Sequence, residues 1–210
     1  MAMRVNPTRM ELTRLKKRLR TATRGHKLLK DKRDEMVRRF MIYIRRDKEL
    51  REQVEAKLTA AMGRFGIASA RMGAGEVAEA LLVPARKAEV ETGTKNIMSV
   101  NVPTIKYVGE TKDAALPYGF AFTSSELDGA VLDLAAVLPQ LIELAEVEKT
   151  CNMLADEIEK TRRRVNALEH VMIPEMTENI RFITMKLEEN ERGNLNRLMK
   201  VKEMMTEQEA

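Results

Sequence analysis

The sequence predicts an all-α-dominated fold: a long antiparallel two-helix coiled coil with a short β-hairpin or mixed tip from the middle of the chain. Three observations predict it. Ala, Glu, Lys, Leu and Arg make up 105 of the 210 residues, the composition of long helices and coiled coils. Apolar residues recur at steps of three and four through the first and last thirds. Between them lies a stretch broken by Gly and Pro that carries a β-branched run. Trp is absent, and Phe and Tyr together number eight. That argues against a single bulky core and excludes an all-β fold. The expected organisation is a first long helix over 1–73, a middle segment over 74–122 with its hairpin at about 95–108, and a second long helix over 123–210.

Asn6-Pro7 suits a helix start, because Asn can cap free N–H groups and Pro fits the first helical position. From Leu12 the seam reads Leu12, Leu15, Leu19, Ala22, His26, Leu29, Arg33, Met36, Phe40, Tyr43, Asp47, Leu50, Val54, Lys57, Ala61, with eleven of fifteen positions apolar. No Pro falls between Pro7 and Pro84, so a rod of roughly 80 Å is expected from Pro7 to Ala61. Gly63, Gly66 and Gly73 then loosen the pattern, and the helix is expected to end or bend there.

In the middle, Ala74–Val83 suits a short helix stopped by Pro84. The run Ile97, Val100, Val102, Ile105, Tyr107, Val108 alternates around Pro103 and reads as a hairpin; Pro103 confines it to an edge or a bend. Leu116-Pro117-Tyr118-Gly119-Phe120-Ala121-Phe122 is a loop whose aromatics need cover.

Thr123-Ser124-Ser125-Glu126 reads as a capping box. The stripe behind it runs Val131, Leu134, Leu138, Leu141, Ala145, then Ile158, Val165, Leu168, Met172, Met176, Ile180, Ile183, Leu187, and finally Leu198, Val201, Met205. Pro139 and Pro174 lie inside it, and each removes a backbone hydrogen bond. Two helices with one apolar stripe each bury those stripes against one another. A parallel dimer with long loops is the competing arrangement.

Charge is unevenly distributed. The net charge is +11 over residues 1–60, −2 over 61–139 and −4 over 140–210. The basic first helix therefore attracts the acidic last one, with positive charge left over for an acidic partner.

Catalytic signatures are scarce. Gly73-Ala74-Gly75-Glu76-Val77-Ala78 matches G-x-G-x-x-A but follows a helix-like stretch, so a helix break is the better reading than a dinucleotide turn. His26 falls on the seam, where a partly buried ring with a local hydrogen-bond partner is expected rather than a pH-sensitive device. Neither His26 nor His170 belongs to a metal-ligand pair, and no metal or cofactor is expected. Cys151, the only cysteine, has no base near it in sequence and reads as a buried thiol rather than a nucleophile. The fifteen methionines fall mostly at helical spacing and read as adaptable core filling, with Met204-Met205 an exposed docking tip in the alternative.

The basic runs Lys16-Lys17-Arg18, Arg38-Arg39, Arg45-Arg46 and Arg162-Arg163-Arg164 are solvated helix faces by default. Nucleic-acid binding would need stacking aromatics among them, and only Phe40 and Tyr43 lie there, both on the seam. Membrane insertion would need a free apolar face, and no apolar run approaches the ~18–20 residues of a span.

Several strings, taken in order, resemble the D subunit of V-type and A-type ATPases. They are Asn6–Leu19, Arg24–Glu35, Asn96–Val100 with Val102-Pro103 behind it, Glu146–Thr150, and Glu157–Glu169. The resemblance implies a long antiparallel coiled coil with a β-hairpin. It implies a non-catalytic rotor axle whose terminal segments enter a hexamer of A and B subunits, which hold the ATP sites. It further implies the small F subunit of the stalk and a socket subunit on the membrane ring as partners, one copy per complex, and a cytoplasmic place peripheral to the membrane.

Three sets of contact residues are expected on that reading: Lys16, Lys17, Arg18 and Arg20 toward acidic loops of the ring; Arg162, Arg163 and Arg164, which span about 200° of a helix, toward the ring or the F subunit; and Ile97, Val100, Val102 and Ile105 in a projecting docking hairpin. The alternative is a free-standing basic coiled-coil adaptor for nucleic acid or anionic lipid.

Overall fold

The computed structural model of the chain describes residues 6–83, 88–108, 116, 118, 119 and 123–208, of which 206–208 by their backbone alone. Helix α1 spans Arg9–Met72, α2 Ala74–Ala80, strands β1 and β2 Val90–Ile97 and Val100–Tyr107, α3 Ser125–Ala167 and α4 Ile173–Gln208, with a π-helical turn at Leu168–Met172 joining the last two. The chain divides into two compact units, Met1–Glu35 with Glu159–Ala210, and Met36–Ile158.

Helix α1 starts on Thr8 rather than on Asn6. The Thr8 hydroxyl accepts the Glu11 N–H at 3.3 Å, and the Thr8 carbonyl accepts the Leu12 N–H at 3.0 Å. A hydroxyl two bonds from the backbone reaches the third N–H of the helix, which leaves Pro7 just outside. The helix runs through Gly63 and Gly66 and stops only at Gly73, whose φ of 88° is open to glycine and costly for other residues. At the other helix start, the expected capping box does not close. Thr123 donates to the Gly119 carbonyl at 3.1 Å instead, and the buried Ser124 hydroxyl has no partner among the described residues. The Ser124 carbonyl still accepts the first helical bond, from Leu127 at 3.0 Å.

In the unit of Met1–Glu35 and Glu159–Ala210, α1 and the C-terminal helices run antiparallel. Arg9 pairs with Glu191, and His26 lies 3.3 Å from Glu169, so partners descend along one helix as they climb the other. Leu15, Thr161, Val165 and Ile183 are buried there. The π-turn answers Pro174. The Ile173 N–H reaches back to the Leu168 carbonyl, one residue further than in an α-helix, and the wider turn relieves the clash of the proline ring with the preceding turn. Pro139, by contrast, lies within an uninterrupted α3.

The unit Met36–Ile158 repeats the antiparallel pairing. Arg51 pairs with Glu148, Lys57 donates to Gln140 at 3.0 Å and Arg64 pairs with Asp133, so partners descend along α3 as they climb along α1. The seam on α3 is Val147, Thr150 and Leu154, all buried, whereas Leu141 of the expected stripe is exposed. Thr150, like Thr161, interrupts the apolar pattern without leaving the seam, which hides it from a search for apolar spacing. Beside it, Ala68, Val77 and Leu127 form a second core with Phe65, Met72 and Tyr118 around it. Helix α2 thus closes over the end of α1. It ends at Ala80, short of the expected Val83; Pro84, Phe120 and Phe122 lie outside the described residues.

The hairpin is longer than its apolar run. β1 begins at Val90, five residues before the expected Lys95, because Glu91-Thr92-Gly93-Thr94 pairs with Pro103-Thr104-Ile105-Lys106 while exposing its own side chains. Strand order is simple: one antiparallel pair, with Pro103 opposite Thr94.

Leu154 is fully buried and Leu198 is 65% exposed. Leu154→Ala should cost about 2–5 kcal/mol in urea unfolding, and Leu198→Ala at most about 0.5 kcal/mol.

Candidate functional site

The surfaces open to a partner follow from which side chains the helices consume. Lys16, Lys17, Arg18 and Arg20 are all exposed on α1, and none of them makes an ion pair among the described residues. Arg162, Arg163 and Arg164 are exposed on α3. Arg163 is paired with Glu159 one turn back, an ordinary i,i+4 bridge, while Arg162 and Arg164 make no ion pair among the described residues. The two sets share one unit but stand on different helices.

The hairpin residues are placed differently from expectation. Ile97, Val100 and Val102 are buried, Val102 to 2% exposure, in a cluster with Met36 and Leu154. Phe40, Tyr43, Met98, Met153 and Ile158 pack around it. These three side chains bind the hairpin to α1 and α3, so they present nothing to a partner. Alternation explains it: residues two apart share one face of a strand, and the apolar face turns to the helices. Ile105 is half-buried, and its N–H donates to the Glu146 carboxylate of α3 at 2.7 Å. That bond satisfies an edge donor which a two-stranded sheet otherwise leaves unpaired. Sequence reading missed it, since an acid forty-one residues away carries no local signal.

The turn of the hairpin is Met98-Ser99, both at positive φ, 52° and 72°. Two consecutive positive values are the mark of a type I′ turn, normally supplied by Asn-Gly, so neither residue type announces it. Asn96 compensates: its carbonyl oxygen accepts the Ser99 N–H at 3.1 Å and its amide donates to Asn101 at 2.7 Å.

Among the described residues no three His, Cys, Asp or Glu groups could hold a metal ion. No helix of the described residues is long and apolar enough to cross a membrane. The string Gly73–Ala78 follows helix α1, not a strand, which is the wrong context for a dinucleotide turn. Tyr118 donates to Asp128 at 2.9 Å, and burial, with that carboxylate beside it, raises its pKa far above the usual phenol range. His26 is half-buried on the seam with Glu169 as its partner.

Cys151 is half-buried. Burial first, then the charges of Asp47 and Glu148, push its thiol pKa up. Asp47 itself carries a buried oxygen without a hydrogen-bond partner among the described residues. Such a thiol resists the thiolate form that attacks electrophiles.

The family model described as the ATP synthase D subunit matches residues 11–203. Curated relatives named as D subunits of V-type ATP synthases are similar over nearly the whole chain. The one from Acetivibrio thermocellus is 59% identical over 208 residues, covering 98% of this chain and 94% of the relative. That from a Thermoanaerobacter species is 55% identical, covering 96% of each. One from Clostridium botulinum is 55% identical, covering 100% of this chain and 99% of its own.

Alkylation by iodoacetamide at pH 8 should be slower at Cys151 than at a free thiol of the same concentration, and Asp47→Asn should speed it. The linked stability has a definite sign. A raised thiol pKa in the folded state means the unfolded chain loses its proton first as pH rises. Stability should therefore fall above the ordinary thiol pKa, and Cys151→Ser should flatten that alkaline decline in denaturant titrations.

Proposed function

We propose that this chain, which belongs to the family of ATP synthase D subunits, is the central axle of a rotary ATPase. In this reading it transmits torque between an ATP-hydrolysing hexamer of A and B subunits and an ion-translocating membrane ring. The chain itself is non-catalytic. It is cytoplasmic, peripheral to the membrane, and present in one copy per complex. The small F subunit of the stalk and a socket subunit on the ring are its further partners.

The observation that carries the reading is the antiparallel pairing of the 64-residue α1 with the C-terminal helices, seen in each unit through its own cross-helix ion pairs. Torque passes along a shaft only if the two helices cannot slide, and interlocked seams with charge pairs at their flanks resist sliding. An axle also has to present unlike faces to the subunits around it, so that each catalytic interface is biased differently. The two helices supply that difference: α1 is strongly basic, whereas the C-terminal third is acidic.

Lys16, Lys17, Arg18 and Arg20 form the electrostatic contact with acidic segments of the hexamer in this reading, with Arg162 and Arg164 adding a second contact on α3. The hairpin is a regulatory projection whose outward residues, not its buried Ile97, Val100 and Val102, meet a neighbour.

Replacing Lys16, Lys17, Arg18 and Arg20 with Gln should weaken binding of the full chain to a purified A/B hexamer at low salt and flatten its salt dependence. An unchanged salt dependence removes the contact role. Excising residues 90–107 should alter the ATP hydrolysis rate of the reconstituted complex with helicity retained; loss of helicity by circular dichroism would assign the hairpin a structural role instead.

A further inference from the structure

Of the two residues in the turn of the hairpin, one is held by a hydrogen bond and the other by a thioether. Met98 and Ser99 stand at φ of 52° and 72°. A residue with a Cβ keeps that left-handed conformation only where its surroundings hold it there. Ser99 is held by Asn96, whose side-chain oxygen accepts the Ser99 N–H at 3.1 Å. Met98 is held by apolar packing. It is half-buried against the cluster of Met36, Ile97, Val100, Val102 and Leu154. Those five buried side chains offer the Met98 sulfur an apolar surface and no hydrogen-bond donor.

Its exposure sets Met98 apart from the other methionines of this unit. Met36, in the same cluster, is fully buried and closed to solutes. Met41 and Met62 on α1 are 46% and 56% exposed, so chemistry at their sulfurs disturbs little packing. Met98 is both open to solvent and part of a core. Met153 is half-buried against the same cluster, but it lies inside the continuous helix α3, whose backbone does not lean on it.

We propose that Met98 is an oxidation-sensitive latch: a peroxide converts its thioether to the sulfoxide, and the turn of the hairpin comes away from the coil. The proposal goes beyond the axle reading and does not depend on it. In the forward step a sulfur lone pair attacks one peroxide oxygen. The S–O bond forms as the O–O bond breaks, and the leaving hydroxide takes up a proton. The sulfur loses two electrons and hydrogen peroxide ends as two oxygens, one on sulfur and one in water. The sulfoxide is polar, and burying it against apolar side chains without a donor is costly. Met98 therefore leaves the cluster, its left-handed backbone loses its hold, and the apolar face of Ile97, Val100 and Val102 is uncovered at the turn. The step is reversible. A thiol-dependent reductase removes the oxygen as water while two thiols become a disulfide, and the thioether returns to its place.

The test treats the full chain with hydrogen peroxide, locates the oxidised methionines by peptide mass spectrometry and follows the hairpin by amide hydrogen exchange. Oxidation at Met98 should speed exchange over residues 97–102 by about tenfold or more, with helicity by circular dichroism unchanged. Methionine sulfoxide reductase with dithiothreitol should restore slow exchange. Met98→Leu keeps the apolar bulk without the sulfur, and its hairpin should not respond to peroxide. Met153→Leu should respond as the unmodified chain does. Met98→Gln, polar at the same place, should loosen the turn with no oxidant. If Met98→Leu loosens the hairpin by itself, the reversal in the unmodified chain and the exchange of Met98→Gln decide the matter. Four results overturn the latch: unchanged exchange in chains oxidised at Met98, a full peroxide response in well-folded Met98→Leu, loss of the response in Met153→Leu, or an unoxidised Met98 once Met41 and Met62 are converted.

Discussion

A helix with a single narrow apolar stripe has nowhere in water to put it. That constraint governs this chain. Most of the stability of α1 and of the C-terminal helices comes from packing that face rather than from propensity. The seam in each unit is the solution. Leu15, Val165 and Ile183 are buried in one, and Val54, Val147 and Leu154 in the other. The ion pairs outside the seam, such as Arg46 with Glu143 and Arg64 with Asp133, are solvent-exposed and contribute little to stability each. Their effect is on register and orientation: an antiparallel arrangement sets basic α1 beside acidic partners, whereas a slipped one loses them.

The hairpin depends on the same seam. Two strands are marginal in water unless something packs against them, and here Met36 and Leu154 extend the coil's core to Ile97, Val100 and Val102. This support makes a strained turn tolerable. Met98 and Ser99 at positive φ cost about 1–2 kcal/mol each, and they persist because Met98 packs on the core and Asn96 fixes Ser99. Glu146 closes the free edge at Ile105. The hairpin is therefore fixed at its base, and its exposed side chains include Glu91, Thr92, Thr94, Lys95 and Lys106.

What the sequence disclosed and what it hid divide along a physical line. Apolar periodicity disclosed α1 from Leu12 to Ala61, the hairpin's second strand and the helical nature of the last third, because burial demands a repeating face. It hid Thr150 and Thr161, whose small side chains fit a seam without being apolar. It hid the first half of β1, where Glu91 to Thr94 owe their place to backbone pairing. It misplaced the cap, since Asn6 and Thr8 are both good caps and only geometry chooses between them. The basic residues were legible as charge: Lys16, Lys17, Arg18 and Arg20, and Arg162 to Arg164, stand exposed as charged runs should. Ile97, Val100 and Val102 were legible as strand residues, but their facing was not, because the side a hairpin turns to its helices is fixed by tertiary contact.

An open groove near Met172 arises from a conflict between local and global order. Pro174 forbids one helical hydrogen bond, the π-turn accommodates that loss, and the stripe rotates away from α1 just where Ala22 offers least to fill the space. A sequence selected only for a tight coil would put a larger residue at position 22 or remove the proline. The two features lie opposite one another across a seam, and each makes the other's gap larger. Methionines line the gap rather than branched residues, so its walls adapt instead of collapsing to one shape. A seam that is closed by Leu15 and Ile183 and open beside Ala22 holds its helices together at one point and leaves apolar surface uncovered at another. That uncovered surface gives up part of the stability that a closed seam would supply.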